Sequence, residues 1–189
     1  FLFSGRFVEK KGLIYALQAF KKVRVLNKDF EFRIIGDGIL RPKIKRLIRR
    51  NNLEDYVSLL GFLNYEKYIA ELQKGCAFST PSVTAVDGAS EVGAPTTILE
   101  AQARGIPVFA TYHADIPNIV IPGKSALLSR ERDIDELVKN IENFIRNQEE
   151  WESFGMGVHY QNNSIKTQSV GKSYLKFYLY CRRKNTISI

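Results

Sequence analysis

The chain is 189 residues long, with 44% hydrophobic and 25% charged residues, a composition that is typical of a globular fold and argues against intrinsic disorder. Its formal net charge of +8 fits a solvated basic surface, a phosphate-bearing ligand or an anionic membrane surface, whereas nucleic acid is disfavoured because no nucleic-acid motif accompanies the scattered basic residues. No apolar run approaches the roughly 18 residues of a membrane span. The two cysteines, Cys76 and Cys181, fit neither a disulfide framework nor a zinc site. We therefore expect a cytoplasmic protein.

The first half of the chain alternates strand-like and helical runs. The chain opens on a short apolar run, FLFSG, and this start suits one lobe of a larger protein. Over residues 13–26 the apolar residues recur at helical spacing. A strand at FEFRII closes in a Gly-Asp-Gly turn, and Pro42 fits the first turn of a basic helix that runs to about Asn51.

The alternation continues along the second half. YVSLLGF predicts a strand, Asn64 an N-cap for a helix over residues 65–74, and CAFSTPS a further strand. Residues 81–94 are a predicted loop, because they are rich in Pro, Ser, Thr, Gly and Ala. Pro95 then opens a helix at its first position, and Gly105 closes it.

Two more strands, at PVFAT and SALLS, precede a pattern that is helical from Asp133 to the end of the chain. Strands that alternate with helices predict right-handed βαβ units, and therefore a Rossmann-like, three-layer α/β/α fold with a mainly parallel sheet. We expect this domain to span residues 1–147, and a helical segment over residues 148–189 to pack on the same lobe. Ligands of such sheets bind at the carboxyl ends of the strands.

Several familiar ligand motifs are incomplete. PGKS at 122–125 and VGKS at 170–173 lack the glycine that a P-loop has five positions before its Gly-Lys pair. GDG at 36–38 lacks the third glycine of a dinucleotide fingerprint. The sequence has only two histidines, His159 and His113, and we expect His113 to lie in a loop. Metal sites built from imidazoles and catalytic acid–base triads are therefore disfavoured. We expect neither a metal ion nor a cofactor.

The features that do suit a ligand follow the first four strands. Arg6 and Lys11 come after the first strand, and their side chains are good donors to phosphate oxygens. Gly36 and Gly61 follow the second and third strands, where glycine lets backbone N–H groups approach a ligand closely. These residue types predict an anion site at the carboxyl edge of the sheet.

The loop after the fourth strand adds carboxylates to that site. A helix that begins near Pro95 turns its free N–H groups and its positive end toward an anion. Glu91 and Glu100 cannot bind phosphate, but they can accept hydrogen bonds from the adjacent hydroxyls of sugars. A nucleotide-sugar is a diphosphate joined to sugars at both ends, so it suits the cations, the glycines and the carboxylates together.

The chain resembles the C-terminal, donor-binding domain of the family 4 retaining glycosyltransferases, which have the GT-B fold. The segments that carry the resemblance occur in the family's order over residues 4 to about 120: SGRFVEKKG, RIIGDG, VSLLGFL, AFSTPS, EVGAPTTILEAQARGIPVFAT and IPNIV. GAPTTILEAQA in particular is similar to members that build bacterial exopolysaccharides and lipopolysaccharides.

The resemblance implies roles for the matched residues. Arg6 and Lys11 neutralise the donor diphosphate in place of a metal ion, and Glu91 contacts the donor sugar near the reacting carbon, so these three are the expected catalytic residues. Glu100 holds the ribose hydroxyls. The other expected donor contacts are Gly5, Gly36, Gly61, Phe62 beside the base, Gly93, Ala94, Pro95 and Thr96.

The sequence departs from the family at two points. The family's two glutamates have seven residues between them, whereas Glu91 and Glu100 have eight, and Val92 stands where the first glutamate is expected. Either the loop carries a one-residue insertion and Glu91 still reaches the sugar, which is our expectation, or the role is lost. Asn118 replaces a glutamate that is common in the family's IPEIV segment.

The implied function is transfer of a sugar from a nucleotide-diphosphate donor to an acceptor hydroxyl, with retention of configuration, in the synthesis of cell-surface polysaccharide or lipopolysaccharide. A separate N-terminal domain binds the sugar or lipid-linked acceptor in this family, so we expect the isolated chain to be inactive. Two alternatives stay open. One is a nucleotide-sugar-binding module without catalysis, and the other is a lobe whose basic helix contacts the inner face of a membrane.

Overall fold

The computed structural model of the protein describes residues 1–26 and 30–147. Strands and helices alternate along the described chain. The strands are β1 (Leu2–Ser4), β2 (Phe32–Ile35), β3 (Val57–Gly61), β4 (Phe78–Thr80), β5 (Val108–Thr111) and β6 (Ala126–Ser129). The helices are α1 (Leu13–Leu26), α2 (Arg41–Arg50), α3 (Tyr65–Lys74), α4 (Thr96–Gln102), α5 (Ile116–Ile119) and α6 (Ile134–Arg146), with a 3₁₀ turn at Glu9–Lys11.

The six strands form one parallel sheet in the order β3-β2-β1-β4-β5-β6. The order reverses between β1 and β4, because the chain first builds outward through β2 and β3 and then returns to the other side of β1. At such a reversal the loops that leave neighbouring strands diverge and open a crevice. The predicted Rossmann-like α/β fold is confirmed, and by this rule the ligand crevice is expected between the β1 and β4 loops.

Helices cover both faces of the sheet, since neighbouring residues of each strand point to opposite sides. Phe3 and Phe109 pack with α1, α2 and α6, whereas their neighbours Leu2 and Val108 pack with α3 and α4. Each set forms a buried apolar cluster. The protein is therefore a three-layer α/β/α sandwich, and its near-continuous apolar strands are explained by burial on both faces.

Short-range signals account for several helix starts. The side chain of Asn64 accepts a hydrogen bond from the backbone N–H of Lys67 at 2.9 Å, as predicted for an N-cap. Pro42 occupies the first turn of α2, also as predicted. Pro95, in contrast, is the residue before α4 rather than its first residue, because its ψ of 125° is extended. The prediction for that helix start was wrong by one residue.

Two small elements were not predicted, namely the 3₁₀ turn and α5. Both are too short to show a periodic pattern. The described part of the helical pattern after Asp133 is confirmed as α6, and the proposed segment 148–189 lies outside the described residues. Within the described ranges, no helix is both long and apolar enough to cross a bilayer.

Candidate functional site

The loop after β1 is locked to the loop after β2 by close backbone contacts. Gly36 is buried with φ +124°, and a Cβ atom on it would lie 2.0 Å from the carbonyl oxygen of Gly5. At Gly38 a Cβ atom would lie 2.8 Å from the backbone nitrogen and oxygen of Phe7, and the Phe7 N–H donates to the carbonyl of Asp37 at 2.8 Å. These glycines are thus required by packing, and they fix the backbone on either side of Arg6.

Arg6 is exposed at the tip of this locked loop. No described residue hydrogen-bonds or ion-pairs with its guanidinium. A guanidinium on a rigid backbone with its donors free is available to bind an anion from solution. The structure therefore places the predicted Arg6 at the carboxyl edge of β1, beside the crevice.

Lys11 contacts Glu91 across that crevice. The Lys11 Nζ atom lies 3.1 Å from Glu91 Oε2, and the two side chains are 18% and 11% exposed. Lys10 Nζ lies 4.0 Å from Glu91 Oε1 and donates to the carbonyl of Ser90 at 2.8 Å. Within the described structure Oε1 is buried and accepts no hydrogen bond. The pair thus joins a predicted phosphate ligand to a predicted sugar ligand, and it leaves one carboxylate oxygen as a buried acceptor.

Behind Glu91 lies a histidine that sequence reasoning treated only as a loop residue. His113 lies two residues after the end of β5, and its side chain is 1% exposed. Its Nδ1 lies 2.6 Å from Glu131 Oε1, and its Nε2 lies 3.1 Å from Ser90 Oγ and 3.3 Å from the backbone nitrogen of Glu91. His113 therefore connects the loops after β4, β5 and β6.

Glu131 is held as a carboxylate within this network. Burial alone would raise its pKa, but the hydrogen bonds from His113 and from the backbone N–H of Thr84 outweigh that effect and hold the pKa below the ordinary 4.5. The Thr84 N–H donates to Glu131 Oε2 at 2.9 Å, and Arg132 Nη1 lies 3.3 Å from the same oxygen. The negative charge is thus fixed beneath the loop that carries Glu91.

Glu100 has a partner of its own on the other side of the crevice. The hydroxyl of Tyr68, a buried residue of α3, donates to Glu100 Oε2 at 2.6 Å. Burial and then this hydrogen bond raise the pKa of Tyr68, so the phenol stays protonated as a donor. The contact orients Glu100 on α4, whose second carboxylate oxygen is left for another donor. Glu91 and Glu100 are consequently fixed by different partners and do not bond to each other.

The remaining predicted residues surround these groups. Phe62 is 76% exposed after β3, and Gly61 accepts a hydrogen bond from the Gly36 N–H at 2.8 Å. Pro95 is buried and Thr96 is exposed at the start of α4. Gly5, Gly93 and Ala94 are partly buried. The predicted site residues lie at the carboxyl ends of β1 to β4, in the loops that leave these strands or in the helical elements that follow the loops.

The chemistry of the site follows from its composition. Cations of the β1 loop contact a carboxylate of the β4 loop, and a second carboxylate lies on α4, the helix that follows this loop. This composition suits a ligand that is both anionic and rich in hydroxyls. No group of three or more His, Cys, Asp or Glu side chains within residues 1–26 and 30–147 is placed to hold a metal ion.

Comparison with known proteins points to one family. A family model described as glycosyl transferases group 1 matches residues 1–157. The chain is 37% identical over 142 residues to WcaL of Salmonella typhimurium, a protein named for glycosyl transfer in colanic acid biosynthesis, and the match covers 75% of this chain and 35% of that protein. It is 38% identical over 133 residues to the amylovoran biosynthesis glycosyltransferase AmsK of Erwinia amylovora, with coverage of 70% and 32%. The chain thus spans about a third of the length of these relatives.

Solved structures show the same fold. The C-terminal domain of a glycosyl transferase group 1 family protein, LpcC of Francisella tularensis, matches with a TM-score of 0.74 at 16% identity, over 88% of this chain and 86% of that one. Anabaena HepE, solved in complex with UDP-glucose, matches with a TM-score of 0.75 at 17% identity, over 98% of this chain and 48% of that one. At such identities the likeness shows the fold alone.

Proposed function

Because this chain belongs to the glycosyl transferases group 1 family, we propose that it is the donor-binding half of a retaining glycosyltransferase. The whole enzyme transfers a sugar from a nucleotide-diphosphate-sugar to an acceptor hydroxyl, and a separate N-terminal domain binds the acceptor. The observation that carries this proposal is the contact between Lys11 and Glu91 beside the exposed Arg6. It supplies cations for a diphosphate and a carboxylate for a sugar at the point where the strand order reverses.

In the proposed mechanism the charged loops stabilise the leaving group. Arg6 and Lys11 donate to the diphosphate as its bond to the sugar breaks, and they offset the charge that develops on its oxygen. With two cations in place, the reaction proceeds without a metal ion or a cofactor. Glu91 accepts a hydrogen bond from a sugar hydroxyl through its Oε1 atom, which lies 4.0 Å from Lys10 Nζ but accepts no hydrogen bond from the described residues and is therefore costly to leave without a donor. Attack on the face from which the diphosphate departs retains the configuration.

The nucleoside end of the donor is held on the other side of the crevice. Glu100, oriented by Tyr68, accepts hydrogen bonds from the ribose hydroxyls. Phe62, exposed at the end of β3, lies against the base. Backbone N–H groups between Gly93 and Thr96 contact the sugar and the phosphate. These roles follow the resemblance residue by residue, and the exposure of Phe62 supports its role beside the base.

We place the reaction in cell-surface polysaccharide synthesis. WcaL and AmsK are named for colanic acid and amylovoran biosynthesis, respectively, and GAPTTILEAQA resembles exopolysaccharide and lipopolysaccharide enzymes. The acceptor is then a sugar or a lipid-linked sugar at the inner face of the membrane.

Calorimetric titration of the chain with UDP, GDP, UDP-glucose and GDP-mannose tests the donor site. We expect binding to at least one of them, and Arg6→Ala and Lys11→Ala should each weaken it by about 1–3 kcal/mol, since each removes a charge-assisted contact. Lys45→Ala, which removes an exposed cation of α2, is the matched control and should leave the affinity unchanged. A folded chain that binds none of the four ligands contradicts the proposal, as does robust sugar transfer by the isolated chain.

A binding module without catalysis is the second candidate, and Val92 is the residue that favours it. Val92 stands where the family has its first glutamate, and its side chain is fully exposed. Transfer activity of the full-length, two-domain protein separates the two readings. A protein that binds the donor tightly but turns it over with neither water nor a sugar acceptor would support the module.

The basic face of α2 favours a contact with anionic lipid. Ile44 and Ile48 are buried, and no acidic residue occurs in the helix. The opposite face exposes Lys43, Lys45, Arg46, Arg49 and Arg50. Each cation near an anionic membrane contributes about 1 kcal/mol at moderate salt. Sedimentation with phosphatidylglycerol vesicles should exceed that with phosphatidylcholine vesicles and should disappear in high salt, whereas salt-independent binding would exclude an electrostatic contact.

A further inference from the structure

We propose that His113 is a positioning residue of the donor site: its Nε2 atom holds the Ser90 hydroxyl and the backbone N–H of Glu91 so that the Glu91 carboxylate lies against Lys11. The inference deepens the proposed function, because the importance of this position rests on donor binding by Glu91 and Lys11. Neither the sequence patterns nor the family resemblance gave His113 a role.

The hydrogen-bond partners fix which nitrogen of the imidazole carries the proton. The backbone N–H of Glu91 can only donate, so Nε2, 3.3 Å away, accepts and is unprotonated. Nδ1 then carries the hydrogen and donates to Glu131 Oε1 at 2.6 Å. Ser90 Oγ, at 3.1 Å from Nε2, shares the same lone pair as a second donor. His113 is therefore a neutral ring with a single tautomer that suits all of its partners.

The acceptor that His113 presents is rigid because Glu131 is itself fixed. The Glu131 carboxylate accepts from the Thr84 N–H at 2.9 Å and contacts Arg132 at 3.3 Å. The His113 side chain is almost completely buried, so water does not compete for either ring nitrogen. A ring anchored on one side by a hydrogen-bonded carboxylate can set the position of the backbone on its other side, as metal-ligating histidines are oriented by their own carboxylate partners.

Segment 90–91 is held from both sides. His113 accepts from its N–H and its hydroxyl, and Lys10 donates to the Ser90 carbonyl at 2.8 Å. With the backbone fixed in this way, the Glu91 side chain reaches Lys11 at 3.1 Å. Loss of the Nε2 acceptor frees one side of the segment. The carboxylate then spends less time against Lys11 and at the sugar position.

Two substitutions of His113 distinguish the hydrogen-bond acceptor at Nε2 from the hydrogen bond between Nδ1 and Glu131. Glutamine at position 113 extends as far as Nε2 and offers an amide oxygen to Ser90 and Glu91. Asparagine extends only as far as Nδ1, so it keeps a donor for Glu131 but presents nothing to segment 90–91. If His113 were merely structural, glutamine and asparagine would replace it about equally well, or asparagine would replace it better because it keeps the bond to Glu131.

The first measurement needs no ligand. In the His159→Gln background a single imidazole remains, and its ¹⁵N NMR signals should show Nδ1 protonated and Nε2 unprotonated. Hydrogen exchange at the Glu91 amide should be about 2–10-fold faster in His113→Asn than in wild type, as expected for one lost hydrogen bond, and His113→Gln should restore most of the protection. A protonated Nε2, or equal loss of protection in both variants, overturns the proposal.

The second measurement compares affinities for a nucleotide-sugar and its nucleoside diphosphate. The ratio of the two affinities, which isolates the sugar contacts, should fall about 2–10-fold in His113→Asn and stay near the wild-type value in His113→Gln. An unchanged ratio in His113→Asn also overturns the positioning role. If the wild-type chain binds no nucleotide while the NMR results hold, the proposed function fails instead, so the two failures can be told apart.

Discussion

Replacing Glu91 by glutamine should make nucleoside diphosphates bind more tightly, although it removes a predicted site residue. In the structure the Glu91 carboxylate is the counter-ion of Lys11, with Oε2 3.1 Å from Nζ. A diphosphate that approaches Lys11 is attracted by the ammonium group and repelled by this carboxylate. Glutamine keeps the size of the side chain and removes the repulsion.

The size of the effect follows from Coulomb's law. A phosphate oxygen on the far side of Nζ lies about 6 Å from the carboxylate, and two unit charges at that distance repel by about 3 kcal/mol at an effective dielectric constant of about 20. The two side chains are 18% and 11% exposed, so solvent and salt screen part of this energy. About 1–2 kcal/mol remains, which corresponds to about 5–30-fold tighter binding.

Calorimetry with UDP or GDP, whichever the wild-type chain binds, measures this change directly. The gain should be smaller for the matching nucleotide-sugar, because an amide accepts a hydrogen bond from a sugar hydroxyl more weakly than a carboxylate does. It should also shrink as salt is raised. Glu54→Gln makes the same charge change before β3, at the opposite edge of the sheet, and should leave the affinity unchanged.

Two results would refute the reasoning. Weaker binding of the nucleoside diphosphate by Glu91→Gln would mean that the carboxylate orients Lys11 rather than opposing its ligand. An equal gain in Glu54→Gln would mean that only the net charge of the protein matters. A gain confined to Glu91→Gln and reduced by salt fits only a local counter-ion.

Three further predictions concern the supports of the site. Tyr68→Phe removes the donor to Glu100 and should weaken nucleotide binding by about 1 kcal/mol, measured by calorimetry, and unchanged affinity would contradict the orienting role. The depressed pKa of Glu131 means that its carboxylate stabilises the fold above about pH 4.5 and loses that effect as the pH falls through the lower folded-state pKa. Glu131→Gln should therefore flatten the decline in unfolding free energy that urea titrations show as the pH is lowered below about 4.5. Gly12→Ala places a Cβ atom 1.7 Å from a backbone oxygen at φ +67°, whereas Gly88→Ala at φ +81° meets no atom within 4 Å, so the second should cost only about 1–2 kcal/mol in chemical denaturation and the first clearly more.

Local signals were sufficient to predict the fold. The signals at Asn64 and Pro42 and the apolar runs that form the strands each act within a few residues. The parallel sheet follows from the alternation of strands with helices. The misplaced start at Pro95 shows the limit of such signals, because proline is tolerated both at the cap and at the first helical position. The tight glycines at 36 and 38 were predicted as turn or ligand residues, and the structure adds that packing against the β1 loop requires them.

The supports of the site could not be predicted in the same way. The bond between Tyr68 and Glu100 joins residues 32 positions apart, and that between His113 and Glu131 joins residues 18 apart, so neither leaves a spacing pattern in the sequence. One signal was available for His113. Polar residues at the carboxyl ends of parallel strands are candidates for a site, and His113 follows β5 as Arg6 follows β1. The ligand features predicted from the sequence follow only the first four strands.

The contacts of Glu91 favour our expectation that the eighth residue between Glu91 and Glu100 is an insertion in the loop rather than in the helix. Glu91 is held at its backbone by His113 and at its side chain by Lys11, while Pro95 is buried at the start of α4. With both ends of the segment fixed, added length can only bulge outward, and Val92 is fully exposed at the surface. The position of Glu91 therefore depends on the loops after β1, β5 and β6, whereas that of Glu100 depends on α4 and α3. A spacing counted along the chain is for this reason a weaker guide to the first carboxylate than the contacts that hold it.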